Sequence, residues 1–553
     1  MRLRALEDSL RESAGRAFGL TREELSSLAV APPPGHIDAD ASVSWPISAA
    51  KTLRKPPLKI AEELRDALPP ELAAGAVPPG FVNLKLADGF LLDSLRDITE
   101  NPSYFHRPEY AAEHINLEFV SANPTGPLHL ASGRGATLGD SLARIFRALG
   151  AKVSEEFYVN DKGRQVEMLG LSLKARFEGK DPPEDGYHGD YLKDLAAGAP
   201  ADAASWDAPK FSEYAITEML KLHRADMAAF RVEFDRWFLE SELHAADAPA
   251  KALSGLRARG MAYDKEGAVW FGAASELESD DKDRVLVKSG GANTYFLNDI
   301  AYHLDKLSRG FTRLIDVWGA DHHGYVPRME AAVGALAGPS QSSGHRPRAM
   351  PPCSGATEKF KVVIHQQVAL KRGAELVKMS KRAGEFIPLK ELVDEVGTDA
   401  CRFFFASRGP NTHLTFDVDL AKKRSNENPV FYVQYVHARI SSIFANAAEK
   451  GVDPAAAFDP AAVKFNPEER ALAMKLLWLE KTLSDCARDY SPHHLTTYLT
   501  ELASLFHSFY DKHKVLDPQT PQVTAFRLFL LEAVRKVIAD TLGLLGVSAP
   551  ERM

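Results

Sequence analysis

The stretch EFVSANPTGPLHLASGRGATLGD, residues 118–140, decides how this chain folds. Ahead of it, HINLEFVS alternates apolar Ile115, Leu117 and Phe119 with polar Asn116 and Glu118, the period of a strand with two different faces. Asn123, Pro124, Gly126 and Pro127 then form a turn. From His129 onward Leu138, Leu142, Ile145, Phe146 and Leu149 fall at helical spacing, which predicts a helix starting near His129. The free N–H groups and positive dipole end of that helix face the place where the strand stops, which favours a phosphate there. A second apolar run, KVSEEFYVND, follows the helix. Strand, helix and strand in that order imply a parallel unit with a right-handed crossover.

On the N-terminal side, Leu3 to Phe18 and IAEELRDAL read as helices and GFVNLKL as a strand, so residues 1–105 form a small α+β accessory domain ending at a linker beside Asn101 and Pro102. On the C-terminal side, DKGRQVEMLGLSLKARF is helical, and the Gly, Pro, Asp and Ala in residues 180–210 suggest an insertion. A helix from Phe211 to Phe230 leads to VEFDRWFLES, and AVWFGA and RVLVKS are short β segments. TYFLNDIAYHLDK is expected to run from strand into helix, and LIDVWGADHHGYVPRMEAAVGAL to repeat that pattern as a second parallel unit. Residues 336–358 lack periodicity and read as an exposed loop. KVVIHQQVAL predicts one strand, and ELVKMSKRAGEFIPLKELVDEVGTDACRFFF a loop followed by helix. From residue 426 the apolar residues keep three and four spacing nearly to the end, which predicts a helical bundle. The expected domains are 1–105, 106–425 and 426–553. The expected fold class is multidomain α/β, with a doubly wound parallel domain between the other two.

A chain of 553 residues has room for these domains, and 45% apolar with 26% charged residues is the balance of a soluble globular protein. No apolar run is long enough to span a bilayer, and MRLRALEDSLRES lacks the core of a signal peptide, so a cytoplasmic protein without membrane contact is expected. Cys353, Cys401 and Cys486 are far apart and form no CxxC, which fits reduced, buried thiols. The net charge of −8 argues against a non-specific polyanion binder, while leaving room for local basic patches.

Two motifs carry chemistry. SANPTGPLH followed by GRG suits a phosphate, although a tight turn without a ligand uses similar residues, and neither the P-loop nor the GxGxxG spacing is present. Further on, Lys378, Met379, Ser380, Lys381 and Arg382 lie between Gly373 and Gly384. A basic loop is commonly just a solvated surface, but three cations around a Ser on a Gly-hinged loop suit gripping the outer phosphates of ATP as charge builds on pyrophosphate.

In this order the motifs resemble those of class I aminoacyl-tRNA synthetases, whose signatures are His-Ile-Gly-His and Lys-Met-Ser-Lys-Ser; here they read HLAS and KMSKR. EFVSANPTGPLH, YVNDKGRQ, YFLNDIAYH, GADHHGY, KMSKRAG, DACRFFF and LGLLGVSAPERM are similar to segments of the arginyl-tRNA synthetase family across nearly the whole chain. The resemblance implies a Rossmann-like catalytic domain, an N-terminal tRNA-binding domain and an all-α anticodon-binding bundle. It also implies ATP, L-arginine and the tRNA for arginine as partners, Mg2+ carried on the ATP phosphates with no protein zinc site, and a monomer.

The catalytic residues it implies are His129, Ser132, Lys378 and Lys381. Those for ATP are Asn123, Gly126, His129, Gly133, Gly319, Asp321, His322, Met379 and Ser380. Those for arginine are Glu118, Asn123, Glu240, Tyr295 and Asp299, and those for tRNA are Tyr432, Tyr435 and Arg439. The chemistry of arginine agrees, since a planar cation that never deprotonates needs matching carboxylates. Each of these carboxylates also fits a strand end or helix cap.

The departure from the family pattern is Ala131 and Ser132, which stand where the first signature has Gly and His. Loss of one transition-state hydrogen bond costs about 3 kcal/mol unless another group replaces it. A catalytically impaired tRNA-binding paralogue and another nucleotidyl transferase of the same fold are the alternatives.

Overall fold

The computed structural model of the chain describes residues 2–69, 72–272, 283–337, 359–377 and 387–553. Its centre is a five-stranded, wholly parallel sheet. In space the strands run Arg236–Leu239, Lys152–Val159, His114–Glu118, Arg313–Gly319 and Phe360–His365. Numbered along the chain, the order is 3-2-1-4-5, the doubly wound arrangement. The winding reverses between His114–Glu118 and Arg313–Gly319, where Glu118 pairs in register with Asp316. Ligands of such sheets lie beyond the strand ends at this reversal.

The helix Leu130–Ala148 follows the first strand and is buried almost throughout. The first strand itself departs from the expected two-faced pattern, because Asn116 and Glu118 are as buried as Ile115 and Leu117. A central strand of a parallel sheet is covered on both sides, and here the polar side meets a buried polar helix face. That helix, Tyr295–Ser308, spans all of the segment expected to begin as a strand. The Thr294 hydroxyl caps it by accepting from Leu297 N–H. Phe296, Leu297, Ile300 and Ala301 form its apolar stripe, and Asp299, Tyr302, His303 and Lys306 its buried polar one.

KVVIHQQVAL is not one strand but two, in different sheets: Phe360–His365 and Val368–Arg372. The break at Gln366 has a cause in hydrogen bonding. Gln366 N–H donates to Pro410 O, and Gln366 O accepts from Arg134 Nη1 at 2.7 Å. Val368–Arg372 then pairs antiparallel with Glu375–Val377 and parallel with Leu414–Asp417. Within residues 180–210 lies an ordered helix, Tyr191–Ala197, which shares a small core with Leu169, Leu173, Phe211 and Met219. Most of the expected loop, from 338 to 358, lies outside the described residues, as does Cys353; Cys401 and Cys486 are buried free thiols.

Near the N-terminus a three-stranded antiparallel sheet, ordered Ala41–Val43, Phe81–Lys85 and Ala73–Val77, packs with the helices Arg2–Phe18, Trp45–Leu53, Pro57–Ala67 and Asp88–Glu100. The C-terminal part is helical, built from Pro429–Glu449, Pro467–Leu477, Leu479–Arg488, His493–Lys512 and Pro521–Leu544. Arg470 ties the two together, donating to Asp40 at 2.8 Å and to Asp88 at 2.7 Å. Among the described residues no helix is long and apolar enough to cross a membrane.

One buried cation joins the sheet to the bundle. Arg402 pairs with Asp140 and donates to Phe230 O at 3.0 Å and Leu545 O at 2.7 Å. Gly546 takes a left-handed φ of 65° under this guanidinium, where a Cβ would meet Arg402 Cζ at 2.4 Å. Removing one partner of a buried ion pair leaves polar groups stranded. Arg402→Ala is therefore expected to cost about 3 kcal/mol, read as a lower urea midpoint. Arg488→Ala, whose pairs are exposed, should change stability by less than about 1 kcal/mol. Equal midpoints for the two variants would contradict this role for Arg402.

Candidate active site

At the reversal the chain leaves the sheet through two successive residues in the left-handed region, Val120 at φ 68° and Ser121 at φ 40°. A β-branched residue rarely adopts this conformation, so the turn is strained and must be held by its surroundings. Ser121 Oγ does this: it donates to Glu118 Oε1 at 2.7 Å and accepts from Tyr158 N–H at 3.0 Å. Beyond it, Asn123 Nδ2 donates to Gln165 Oε1 at 2.9 Å. Thr125 O accepts from the Tyr191 hydroxyl at 2.6 Å, and Gly126 O from His223 Nε2 at 2.8 Å. Leu128 O accepts from Leu389 N–H, and His129 bridges to Pro388 at the helix start.

The helix that follows is packed through missing side chains. A Cβ on Gly133 would lie 2.6 Å from Leu389 Cδ1 and 2.9 Å from Phe405 Cε2, so the side on which a Cβ would stand is filled by packing. A Cβ on Gly139 would sit inside van der Waals range of the Phe119 ring, and one on Gly135 would come 3.4 Å from His365 Nε2. Ser132, beside Gly133, is buried.

Under the turn lies a network of buried charge. Lys306 Nζ donates to Glu118 Oε2 at 2.5 Å and to Asp316 Oδ1 at 2.9 Å. His303 Nε2 lies 2.7 Å from Asp316 Oδ2. Glu156 accepts from the Tyr302 hydroxyl at 2.7 Å and from Arg309 at 2.5 and 2.8 Å. Burial raises Glu118, while Lys306 and His303 hold Asp316 down at about 2. Glu118 is thus engaged within the protein, beneath the cleft.

Asp299 stands apart from this network. Its carboxyl is buried, accepts from the Tyr325 hydroxyl at 2.7 Å, and has no cation beside it among the described residues. Burial, with Glu118, Glu240 and Asp316 nearby, raises it well above the usual carboxylate range. Asp299 in turn holds the exposed Tyr295 phenol up. Glu240 is buried and accepts from Asn298 at 3.1 Å. Glu240, Tyr295 and Asp299 therefore converge on one end of the cleft, with Glu118 beneath it.

At its other end, past Gly319, a 3-10 turn exposes Asp321 and His322. The expected Lys378, Met379, Ser380 and Lys381 lie outside the described residues. In the bundle, Tyr432 and Tyr435 stack on His507 at centroid distances of 4.8 and 6.1 Å, and Arg439 donates to the Tyr510 hydroxyl. These three expected residues thus share one aromatic cluster between the helices Pro429–Glu449 and His493–Lys512.

Lys306, His303, Tyr325, Arg134 and His365 were not anticipated. The helical spacing of Asp299, His303 and Lys306 is a legible signal of one helix face, and His365 ends a strand shorter than the expected KVVIHQQVAL.

A 3-2-1-4-5 sheet with a carboxylate-lined cleft at its reversal and a separate helical bundle fits a class I aminoacyl-tRNA synthetase, and the family models show that class. Residues 107–333 match the family model described as tRNA synthetases class I (R), catalytic domain, residues 4–86 the arginyl tRNA synthetase N terminal domain, and residues 433–553 the DALR anticodon binding domain. The chain belongs to the arginine–tRNA ligase family. It is 52% identical to the arginine–tRNA ligase of Elusimicrobium minutum over 96% of both chains, and 41% identical to that of Geobacillus thermodenitrificans over 99% of this chain and 98% of the relative. The solved Thermus thermophilus arginyl-tRNA synthetase shares its fold, with a TM-score of 0.78 at 24% identity over the whole of both chains.

The raised Asp299 sets a pH dependence for the ligand-free protein. Its native form keeps a proton that the unfolded chain has already lost. Stability is therefore lost as pH rises from the ordinary carboxylate range through the raised value. Asp299→Asn removes this and keeps an acceptor for Tyr325. At pH 8 it should be more stable than the wild type, read as a higher urea midpoint, with the gap closing towards pH 4. A variant less stable than the wild type at pH 8 would count against an unpaired buried charge at Asp299.

Proposed function

We propose that the cleft at the sheet reversal binds L-arginine and ATP, forms arginyl-adenylate and pyrophosphate, and passes the arginyl group to the terminal adenosine of its tRNA. The observation that carries the substrate is Asp299, a buried carboxylate with no cation beside it among the described residues, flanked by Tyr295, Tyr325 and Glu240. A guanidinium supplies the missing charge and donors to match. Asp299 and Tyr295 take the guanidinium, Asn123 the amino-acid end, and Glu240 the flank. Glu118, in this reading, acts from below by holding the strand end. For ATP we assign His129, Ser132, Gly126, Gly319, Asp321 and His322, with Lys378, Met379, Ser380 and Lys381 on the phosphates and Mg2+ carried by the phosphates themselves.

His129 donates to phosphate oxygens as the α-phosphorus becomes five-coordinate, and Lys378 and Lys381 offset charge on the leaving pyrophosphate. We further propose domain boundaries near 105 and 425, tRNA contact through the Tyr432, Tyr435 and Arg439 cluster, and a monomer acting in the cytoplasm.

The test is arginine-dependent pyrophosphate exchange, run with and without tRNA. Exchange with arginine in the presence of its tRNA is expected; no exchange would overturn the enzyme reading and favour a silent tRNA-binding protein, and exchange with another amino acid would overturn the specificity. Asp299→Ala should raise the KM for arginine about 30-fold or more, the effect of truncating one side of a buried charged contact, with the KM for ATP nearly unchanged. Because arginine favours ionised Asp299, binding should release a proton at pH values where the empty site holds one, and affinity should weaken as pH falls. Calorimetry in buffers of different ionisation heat reads that proton, and its absence would remove Asp299 from the guanidinium site.

A further inference from the structure

The crossover between the strands Lys152–Val159 and Arg236–Leu239 is enlarged by three helices, Arg164–Phe177, Tyr191–Ala197 and Ala208–Ala229, which share a small core of their own. Each helix sends one side chain to the turn Asn123–Gly126. Gln165 accepts from Asn123 Nδ2 at 2.9 Å, the Tyr191 hydroxyl donates to Thr125 O at 2.6 Å, and His223 Nε2 donates to Gly126 O at 2.8 Å. The turn needs such support, because the first strand ends at Glu118 and the next helix begins at Leu130, so no ladder of backbone bonds shapes what lies between. His223 is buried, and among the described residues its Nδ1 has no hydrogen-bond partner. A carbonyl oxygen only accepts, so the proton sits on Nε2, and burial keeps the ring from taking a second one. An unmet nitrogen in the interior is costly, and an apolar side chain would fill the same space without it. The bond to Gly126 O is what the imidazole adds. Tyr191 is placed as specifically: a Cβ on Gly189 would stand 2.5 Å from Tyr191 Cε1, and burial pushes the phenol up, so the hydroxyl stays a donor.

We infer, resting on the adenylate-forming reading of the cleft, that Tyr191 and His223 are positioning residues for that reaction: by holding the carbonyls of Thr125 and Gly126 they fix the turn between Asn123, assigned to arginine, and His129, assigned to phosphate. Neither touches a substrate. The carboxylate of arginine must meet the α-phosphorus in line, and the two are presented from opposite ends of this one turn. A turn free to flex would still bind both substrates, but it would bring them together in the reactive geometry less often. The loss therefore falls on the chemical step and not on binding. The inserted helices thus act on the reaction through three side chains, while their own core lies away from the cleft.

Arginine-dependent pyrophosphate exchange with tRNA present, read together with amide hydrogen exchange of the same full-length proteins, tests this. Tyr191→Phe deletes one hydroxyl, His223→Leu removes the donor, and His223→Gln keeps a neutral one. Tyr191→Phe and His223→Leu should each lower kcat about fivefold or more, the worth of one buried hydrogen bond. The KM values for ATP and arginine should change by less than about twofold. Amide exchange should quicken over residues 121–130 and stay as it was in the core of the inserted helices, and His223→Gln should recover most of both losses. Unaltered kcat in Tyr191→Phe and His223→Leu would overturn the inference. So would losses that follow the thermal midpoint, with faster exchange throughout the inserted helices and His223→Gln no better than His223→Leu, because the two residues would then serve only the folding of that module. A wild-type chain without arginine-dependent exchange would overturn the adenylation reading and this role with it; a wild type that exchanges leaves the variants to decide this inference alone.

Discussion

The ion pairs of Lys306 with Glu118 and Asp316 are the constraint on which the site depends. An ammonium removed wholly from water is costly, and its pairs offset that only when the geometry is complete. Here it is complete: two carboxylates from adjacent parallel strands close on one nitrogen, and His303 and Ser121 satisfy further oxygens. The helix Tyr295–Ser308 is thereby fixed in rotation and height above the sheet. Asp299 sits two turns above Lys306 on the same side, so its position over the cleft follows from the pairing below.

The same arrangement sets the electrostatics. Lys306 and Arg309 neutralise much of the charge of Glu118, Asp316 and Glu156. Among the described residues Asp299 has no basic partner and Glu240 only His244, at 3.7 Å; both lie near the tyrosines Tyr158, Tyr295 and Tyr325, whose phenols burial or neighbouring carboxylates hold protonated. Protonated phenols are donors and uncharged, so among the described residues this end of the cleft is acidic. Such a site is poor for an anion and unfavourable when empty, which is the condition that selects a cationic substrate.

The parallel unit was legible from residues 114–159 because turn residues separate two clear periodicities. The helical bundle was legible for the same reason. What failed to read correctly failed through burial of polar groups. Asn116 and Glu118 look like a solvated strand face, and only the opposing helix, with Lys306 and His303, shows that they are inside. TYFLNDIAYHLDK looked strand-like at its start because its aromatic residues mask the stripe that begins with Phe296. Gln366 and Gln367 carry no turn signal, so the change of sheet after His365 is set by Arg134 and Pro410, from distant parts of the sequence. Glu118, Glu240 and Asp299 were legible as candidates because they are carboxylates in segments that resemble the family's, and the structure brings them near one another. The packing against Gly133 was not legible, since a glycine reads alike whatever stands beside it.

The helix Leu130–Ala148 is wedged on two opposite faces through its glycines: Leu389 and Phe405 against Gly133 on one, and His365 against Gly135 with Phe119 against Gly139, one turn further on, on the other. Gripped from both faces, the helix cannot shift towards either without a collision. It behaves as the fixed jaw of a vice. Whatever closing movement the reaction requires must be carried by the segments around it, and a substitution that merely loosens one glycine contact would cost precision at His129 before it cost the fold.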